Sequence, residues 1–403
     1  MGLAIINARI YTISKGIIEN GTILVRGGKI LSVGKNLDVS GYDVIDAGGN
    51  AVTPGFVDMH THTGIWEEGA GPGPGNNDGN EMSVPISPFV RSIDAIYPED
   101  IGFSDARRGG VTTLGITHGS GNAIGGTFTV VKGAGKEVDE MIVREPAGLK
   151  MALGENPKRA GELLKRSPTT RMGIAYLIRQ AFYDAIEYKK DWDHYYAQLS
   201  LEEKKPEKER KPIRAPKFDI GKDVLVRVLN KEFPVRCHAH RADDIRTAIR
   251  LAEEFGYDLV IEHATEGYKI RETLARKRIP VGVGPMIGER SKRELLDFTP
   301  ENPALLHEAG VKVAIISDSP FTPVQHLRDS VILAVREGFP ENEALKTITL
   351  NPAEVLGIEN RVGSIDTGKE ADLVIFNGDD PLDAKKKPII TIINGEIAWE
   401  TKK

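Results

Sequence analysis

The stretch PGFVDMHTH, from Pro54 to His62, constrains this chain more than any other, because it carries two imidazoles at the end of an apolar run that reads as a buried strand. Side chains in an extended chain alternate with period two, so His60 and His62 face one side and can reach one metal ion together, while Thr61 faces away. The run before them (Phe56, Val57 and Met59, broken by Asp58) suits a parallel strand covered on both faces. The carboxyl end of such a strand is where α/β proteins build their sites. Taken alone, His-x-His fits two ordinary core histidines as well as a metal pair, so residues elsewhere must decide.

From Pro54 to about Gly357, short apolar runs alternate with helical segments, the pattern of βα units around a parallel sheet. Eight runs read as strands: AVTPGFVDMH, VTTLGIT, TFTVVK, GLKMALG, FPVRCHAH, DLVIEH, IPVGVG and VKVAIISD. Eight is the number that closes a (β/α)8 barrel of TIM type. No convincing helix separates the third run from the fourth, so either the barrel is irregular there or one of these runs is not a strand. A clear helix follows the fifth, DDIRTAIRLAEEFG, with Asp243 or Asp244 as its expected cap and Gly256 as its end. The fifth run ends in His238 and His240, the sixth in His263 and the eighth in Asp318, while Glu155 directly follows the fourth. In a parallel barrel these ends share one mouth, so metal-ligand residue types in step with five strand ends point to a metal site.

The first fifty residues and the last fifty have a different grammar. Short alternating strands with Gly27-Gly28 and Asn394-Gly395 at hairpins suggest a small β-sandwich built from both termini. The expected division is residues 1–53 with 358–403 as the sandwich, and 54–357 as the barrel. The chain's 403 residues, 40% of them hydrophobic, suffice for a large core. A formal charge of -5 with both signs interspersed leaves no footprint for nucleic acid or an anionic membrane, which makes a small molecule the expected partner. The single cysteine, Cys237, excludes an intrachain disulfide, and the first residues lack a signal-peptide pattern, so a cytoplasmic location is expected. A homo-oligomer is compatible with the sequence.

Through PGFVDMHTH, HAHRADDI, IEHAT, SDSP, TLNPAEVLGI and GSIDTGKEADLVIF, the chain resembles the amidohydrolase superfamily of metal-dependent hydrolases, nearest its imidazolonepropionase-like branch. The resemblance spans nearly the whole chain. It implies a distorted (β/α)8 barrel with one or two divalent metals and a β-sandwich from the chain ends. It also implies that His60 and His62 bind the more buried metal and His238 and His263 the more exposed one. Asp318 then touches the first metal and serves as acid and base. Such residues suit zinc, with manganese or iron as alternatives, and a metal-held water has its pKa lowered towards neutrality. Asp318 can take the proton of that water and pass it to a departing nitrogen. An N-cap role for Asp318 is the competing structural reading, which Ser319 or Thr322 could fill instead.

In the fourth run, family members use either a carboxylated lysine bridging two metals or a glutamate. Glu155, just past the strand end, is the expected ligand, and Lys150 inside the run is the alternative. His240 is a candidate ligand, orienting group or substrate contact, and His118 a candidate for lining the mouth. His194, His307 and His326 fall in helical or loop contexts. The Gly-rich segment after His62 reads as a lid or a plain connector. The insert from Pro168 to about Lys217 reads as a packed helix followed by solvated charge, with Tyr176, Phe182 and Tyr183 as core or subunit-interface residues. For Arg171 a structural ion pair is expected over a substrate contact. The function these readings predict is hydrolysis of a carbon–nitrogen bond in a cyclic amide, cyclic amidine or N-acyl amino acid. Deamination of a heterocyclic amine and a catalytically silent scaffold are the alternatives, the latter disfavoured by the full ligand set.

Overall fold

The computed structural model describes residues 2–69, 77–288 and 290–402. Strands β1 (Gly2–Tyr11), β2 (Ile17–Arg26), β3 (Lys29–Gly34), β4 (Tyr42–Asp46) and β5 (Ala51–Pro54) come from the first residues of the chain. They share one sheet with three late strands, β14 (Leu373–Phe376), β15 (Pro388–Ile393) and β16 (Glu396–Glu400), in the order β16-β15-β14-β5-β1-β2-β3, with β4 also on β1. The two ends of the chain meet where β5 lies parallel to β1 and antiparallel to β14. The hairpin at Asn394-Gly395 has φ of 52° and 79°, the left-handed pair that a two-residue turn demands and that Asn-Gly adopts readily. This sheet has a core of its own, built around Ile5, Ile10, Ile23, Leu373 and Ile392.

All eight runs read from the middle of the sequence are strands: β6 (Phe56–Thr61), β7 (Val111–Ile116), β8 (Ile124–Lys132), β9 (Ile142–Ala152), β10 (Val235–Ala239), β11 (Leu259–His263), β12 (Val281–Val283) and β13 (Val313–Ile315). They form one sheet in sequence order. Two backbone hydrogen bonds carry the sheet most of the way to closure, Asp318 N–H to the His60 carbonyl at 3.1 Å and His62 N–H to the Ser319 carbonyl at 3.0 Å. The result is an α/β barrel-like fold. Val57, Met59, Phe128, Val130, Val260 and Ile316 fill its interior.

The expectation of eight parallel strands needs one correction. β8 runs antiparallel to both β7 and β9, whereas β6 with β7, and β9 through β13, pair parallel. A parallel crossover takes a dozen or more residues. The β7–β8 and β8–β9 connections are shorter, and the second holds only the short helix Val138–Met141.

Helices cover the outside. The helix Ala242–Phe255 ends at Gly256 in the left-handed conformation, as expected. Its cap differs from the expected aspartates: Arg241 holds the cap position without a side-chain bond, and Glu266 accepts the Ala242 N–H instead. Asp244 is engaged by Arg171, whose Nε donates to it at 2.9 Å, so Arg171 makes the structural ion pair. The insert forms a 33-residue helix, Arg171–Glu203, capped by Thr170. Phe182 is buried and stacks on Phe255 and Tyr257, but Tyr176 and Tyr183 are exposed, so two of the three aromatic residues are not core. Among the described residues no helix is long and apolar enough to cross a membrane.

Candidate metal centre

The ends of β6, β10 and β11 and the turn after β13 bring six of the expected residues together. Nε2 of His60 and Nε2 of His62 each lie 3.2 Å from Asp318 Oδ1. His60, His263 and Asp318 form one group of donor atoms within 4.8 Å of one another, and His238, His240 and His263 form a second. His263 belongs to both, with ring centroids 5.0 Å from His60 and 4.4 Å from His238.

Two of these positions, and the residue that follows one of them, have unusual backbone. His263, Ala264 and Asp318 have φ of 72°, 44° and 55°. Left-handed conformations at non-glycine residues cost about 1–3 kcal/mol each and persist where the surroundings enforce them. Here they turn His263 and Asp318 off their strand ends into the mouth.

Hydrogen bonds set the ring faces. His62 Nδ1 donates to the Thr117 carbonyl at 2.6 Å and His263 Nδ1 to the Gly284 carbonyl at 2.8 Å, which leaves each Nε2 lone pair for the site. Burial lowers His62, His238 and His240 below the ordinary histidine range, and His263 to about 3, so the rings are neutral donors at neutral pH. Burial opposes the charge of Asp318, but His263, His60 and His62 outweigh it and hold its carboxyl well below the usual range. Neutral imidazoles and an ionised carboxylate are the donor set of a first-row divalent ion. His238 Nε2 is buried without a hydrogen-bond partner among the described residues, an arrangement that an ion would satisfy.

The fourth-strand residues separate. Lys150 is buried, with Nζ 3.4 Å from His60 Nε2, and burial lowers its ammonium to about 8. Glu155 is not brought to either group: it lines a surface cleft with Lys158, Arg159, Arg241 and Lys269. The reason is local, because Glu155 opens the helix Glu155–Leu163 and its N–H is bound by Glu294, which turns the residue away from the mouth. His118 is buried beside Lys150 and donates to the Thr127 carbonyl at 3.0 Å. His194 bonds Gln198, His326 bonds Asp329 and His307 packs on Phe339, all away from the site. The Gly-rich segment expected over the mouth lies partly outside the described residues, and its later part packs on the β7–β8 connection through Asn80 and Glu81.

Several buried groups around the rings escaped the sequence reading. Glu262 bridges Arg236 and His60, with Oε2 3.1 Å from His60 Nδ1. Alternation with His263 suggests the opposite face for Glu262, and only the turned backbone of His263 allows both to serve the site. Asp58 accepts the His60 N–H at 3.2 Å and the Ser317 hydroxyl, and burial raises its carboxyl to about 6. Its two-residue spacing from His60 was a usable signal. Glu294 and Lys292 reach the second group from the connection after β12, with no strand-end pattern to announce them.

A model of the amidohydrolase family matches residues 218–398. The crystal structure of an amidohydrolase from Thermotoga maritima MSB8 is 42% identical, with a TM-score of 0.91 over 99% of this chain and 100% of that one. Imidazolonepropionase from Symbiobacterium thermophilum is 28% identical over 90% of this chain and 84% of its own length. Amidohydrolase tasK from Hapsidospora irregularis is 30% identical over 94% of this chain, which spans 40% of that protein's length. The chain belongs to the amidohydrolase family, on its imidazolonepropionase-like side. That places it among the hydrolases of carbon–nitrogen bonds other than peptide bonds.

Proposed function

We propose that this chain is a metal-dependent amidohydrolase acting on a cyclic amide, a cyclic amidine or an N-acyl amino acid, with Asp318 as general acid and base. The observation that carries the reading is the convergence of His60, His62 and His263 on an ionised Asp318 in a buried mouth. His60, His62 and Asp318 would hold an inner ion and His238 and His263 an outer one. Lys150, not Glu155, would be the fourth-strand residue between them, because its Nζ is the group that faces His60. Zinc suits the donors best, with manganese or iron as substitutes. A bound ion would supply Lewis acidity, activating water near neutral pH and polarising the scissile carbon.

The chain's own residues do the rest. Asp318 is close enough to both strand-one histidines to be oriented by them, and its carboxylate accepts a proton from water at Oδ. The same carboxyl then delivers that proton to the departing nitrogen. Glu262 holds His60 from behind, and the Thr117 carbonyl holds His62. On one side of the mouth Trp66 sits 6.3 Å from the His62 ring and 5.8 Å from Phe321, which is 60% exposed. This aromatic wall favours a substrate with a flat or apolar portion.

Purified protein reloaded with zinc should turn over some member of a panel of such substrates, and none after chelation. A panel left untouched by enzyme shown to carry metal would overturn the proposal. Deamination is the second reading, favoured by the 23% identity to 5'-deoxyadenosine deaminase of Methanobrevibacter smithii over 89% of this chain. Ammonia release separates the two. We read residues 1–53 and 358–403, whose strands share one sheet with a core of its own, as the terminal β domain expected to be a sandwich, beside a distorted (β/α)8 barrel domain of 54–357, and we place the enzyme in the cytoplasm.

A further inference from the structure

The connection after β12 brings a carboxylate to the His238, His240, His263 group. Glu294 is fully buried, and its Oε1 lies 3.8 Å from His238 Nε2 and 3.7 Å from His240 Nε2. Among the described residues His238 Nε2 has no hydrogen-bond partner and Glu294 Oε1 meets only Lys292 Nζ, at 2.7 Å, and both atoms are shut off from solvent. The other carboxylate oxygen is fixed: Oε2 accepts the Glu155 N–H at 3.0 Å. It rests against Gly154, where a Cβ would come within 2.6 Å of it. With Oε2 pinned by backbone, Oε1 is aimed at the rings.

The rings present matching atoms. His240 Nδ1 is bonded to Thr265 Oγ1 at 2.7 Å and His263 Nδ1 to the Gly284 carbonyl at 2.8 Å, so Nε2 of each faces inward. Lys292 stands at the same place. Its Nζ is 2.7 Å from Glu294 Oε1, donates to His240 Nε2 at 3.3 Å, and is anchored by Asn156 Oδ1 at 3.1 Å. A cation is therefore already accommodated between the carboxylate and a ring.

We infer that Glu294 is a fourth ligand of the outer divalent ion, with His238, His240 and His263, and that Lys292 is a tethered cation competing with that ion for the same carboxylate. The inference rests on the reading of this site as a metal centre. Three imidazole nitrogens and one carboxylate oxygen are a donor set that zinc accepts, and tetrahedral zinc donors stand about 3.3 Å apart. The separations from Glu294 to the two rings exceed this by a few tenths of an ångström. The two residues carry opposite signs: the carboxylate attracts the outer ion, and the ammonium repels it.

The test is titration of the chelator-stripped full chain with Zn²⁺ against a competing indicator, with stoichiometry from elemental analysis and Co²⁺ absorption as a second probe. Wild type should bind two ions. Glu294→Gln should keep the inner ion at wild-type affinity and weaken the outer one by about tenfold or more. Lys292→Ala should tighten the outer ion. Glu294→Gln binding both ions as wild type does, wild type binding only one ion, or Lys292→Ala weakening the outer ion would each overturn the inference. Should Glu294→Gln not fold, the sign of the Lys292→Ala effect decides. Wild type binding no ion at all would overturn the metal-centre reading itself, a result distinct from the others.

Discussion

Replacing Glu262 with glutamine leaves a guanidinium charge buried without its counterion. Glu262 and Arg236 are both almost wholly inaccessible; Glu262 Oε1 meets Arg236 Nε, and Oε2 lies 3.1 Å from His60 Nδ1. Burial opposes ionisation of Glu262, but Arg236 and His60 outweigh it and hold the carboxyl far below its usual range. The amide keeps the shape and removes the charge, while Arg236 retains its Nη2 bond to the Met59 carbonyl at 3.1 Å and its place over the Phe128 ring. Breaking a buried ion pair from one side costs about 3–5 kcal/mol, against at most about 1 kcal/mol for an exposed pair. The assay is urea unfolding at pH 7 in chelator, for wild type, Glu262→Gln, Arg236→Met and the double variant. Each single variant should lose about 3–5 kcal/mol, and the double variant should lose less than the sum, since it leaves no unpaired charge. A loss below about 1 kcal/mol for Glu262→Gln would refute the claim that this pair braces the site.

Other outcomes follow from the same geometry. Burial lowers Lys150 from its ordinary 10.5 to about 8. Because the folded value lies below the unfolded one, unfolded chain binds more protons between them, and stability rises with pH in that window. Relative to Lys150→Met, chelated wild type should gain about 3 kcal/mol between pH 8 and pH 10.5; a flat difference would contradict the burial of its charge. Glu155→Ala should leave metal content unchanged, whereas Lys150→Ala should weaken metal binding by about 10–100-fold, measured by chelator competition. Asp318→Asn should reduce kcat by about 10²–10⁴-fold in enzyme reloaded with zinc.

Much of the barrel was legible because its strands are short apolar runs whose ends carry chemically distinctive residues. His60, His62 and His238 sit where alternation and strand ends put them, while His263 and Asp318 reach the same mouth through left-handed backbone that no pattern announces. The antiparallel course of β8 was hidden, since an apolar run has no direction; only the missing helix hinted at it. Glu155 misled because position after a strand end does not fix orientation, and here Glu294 captures its backbone at a helix start. Glu262 and Arg236 were invisible for a related reason. Both lie within apolar strands where a charge looks out of place, and their partner is supplied by a neighbouring strand far along the chain.

The proposed chemistry depends on the strand-one histidines and Asp318 holding an ion at the barrel mouth. Crystals grown with zinc, with anomalous data collected on both sides of its absorption edge, test it most directly. A peak is expected about 2.0–2.2 Å from Nε2 of His60, Nε2 of His62 and an oxygen of Asp318, beside Lys150 and away from Glu155. No peak among those three side chains, or a peak coordinated by Glu155, would contradict it.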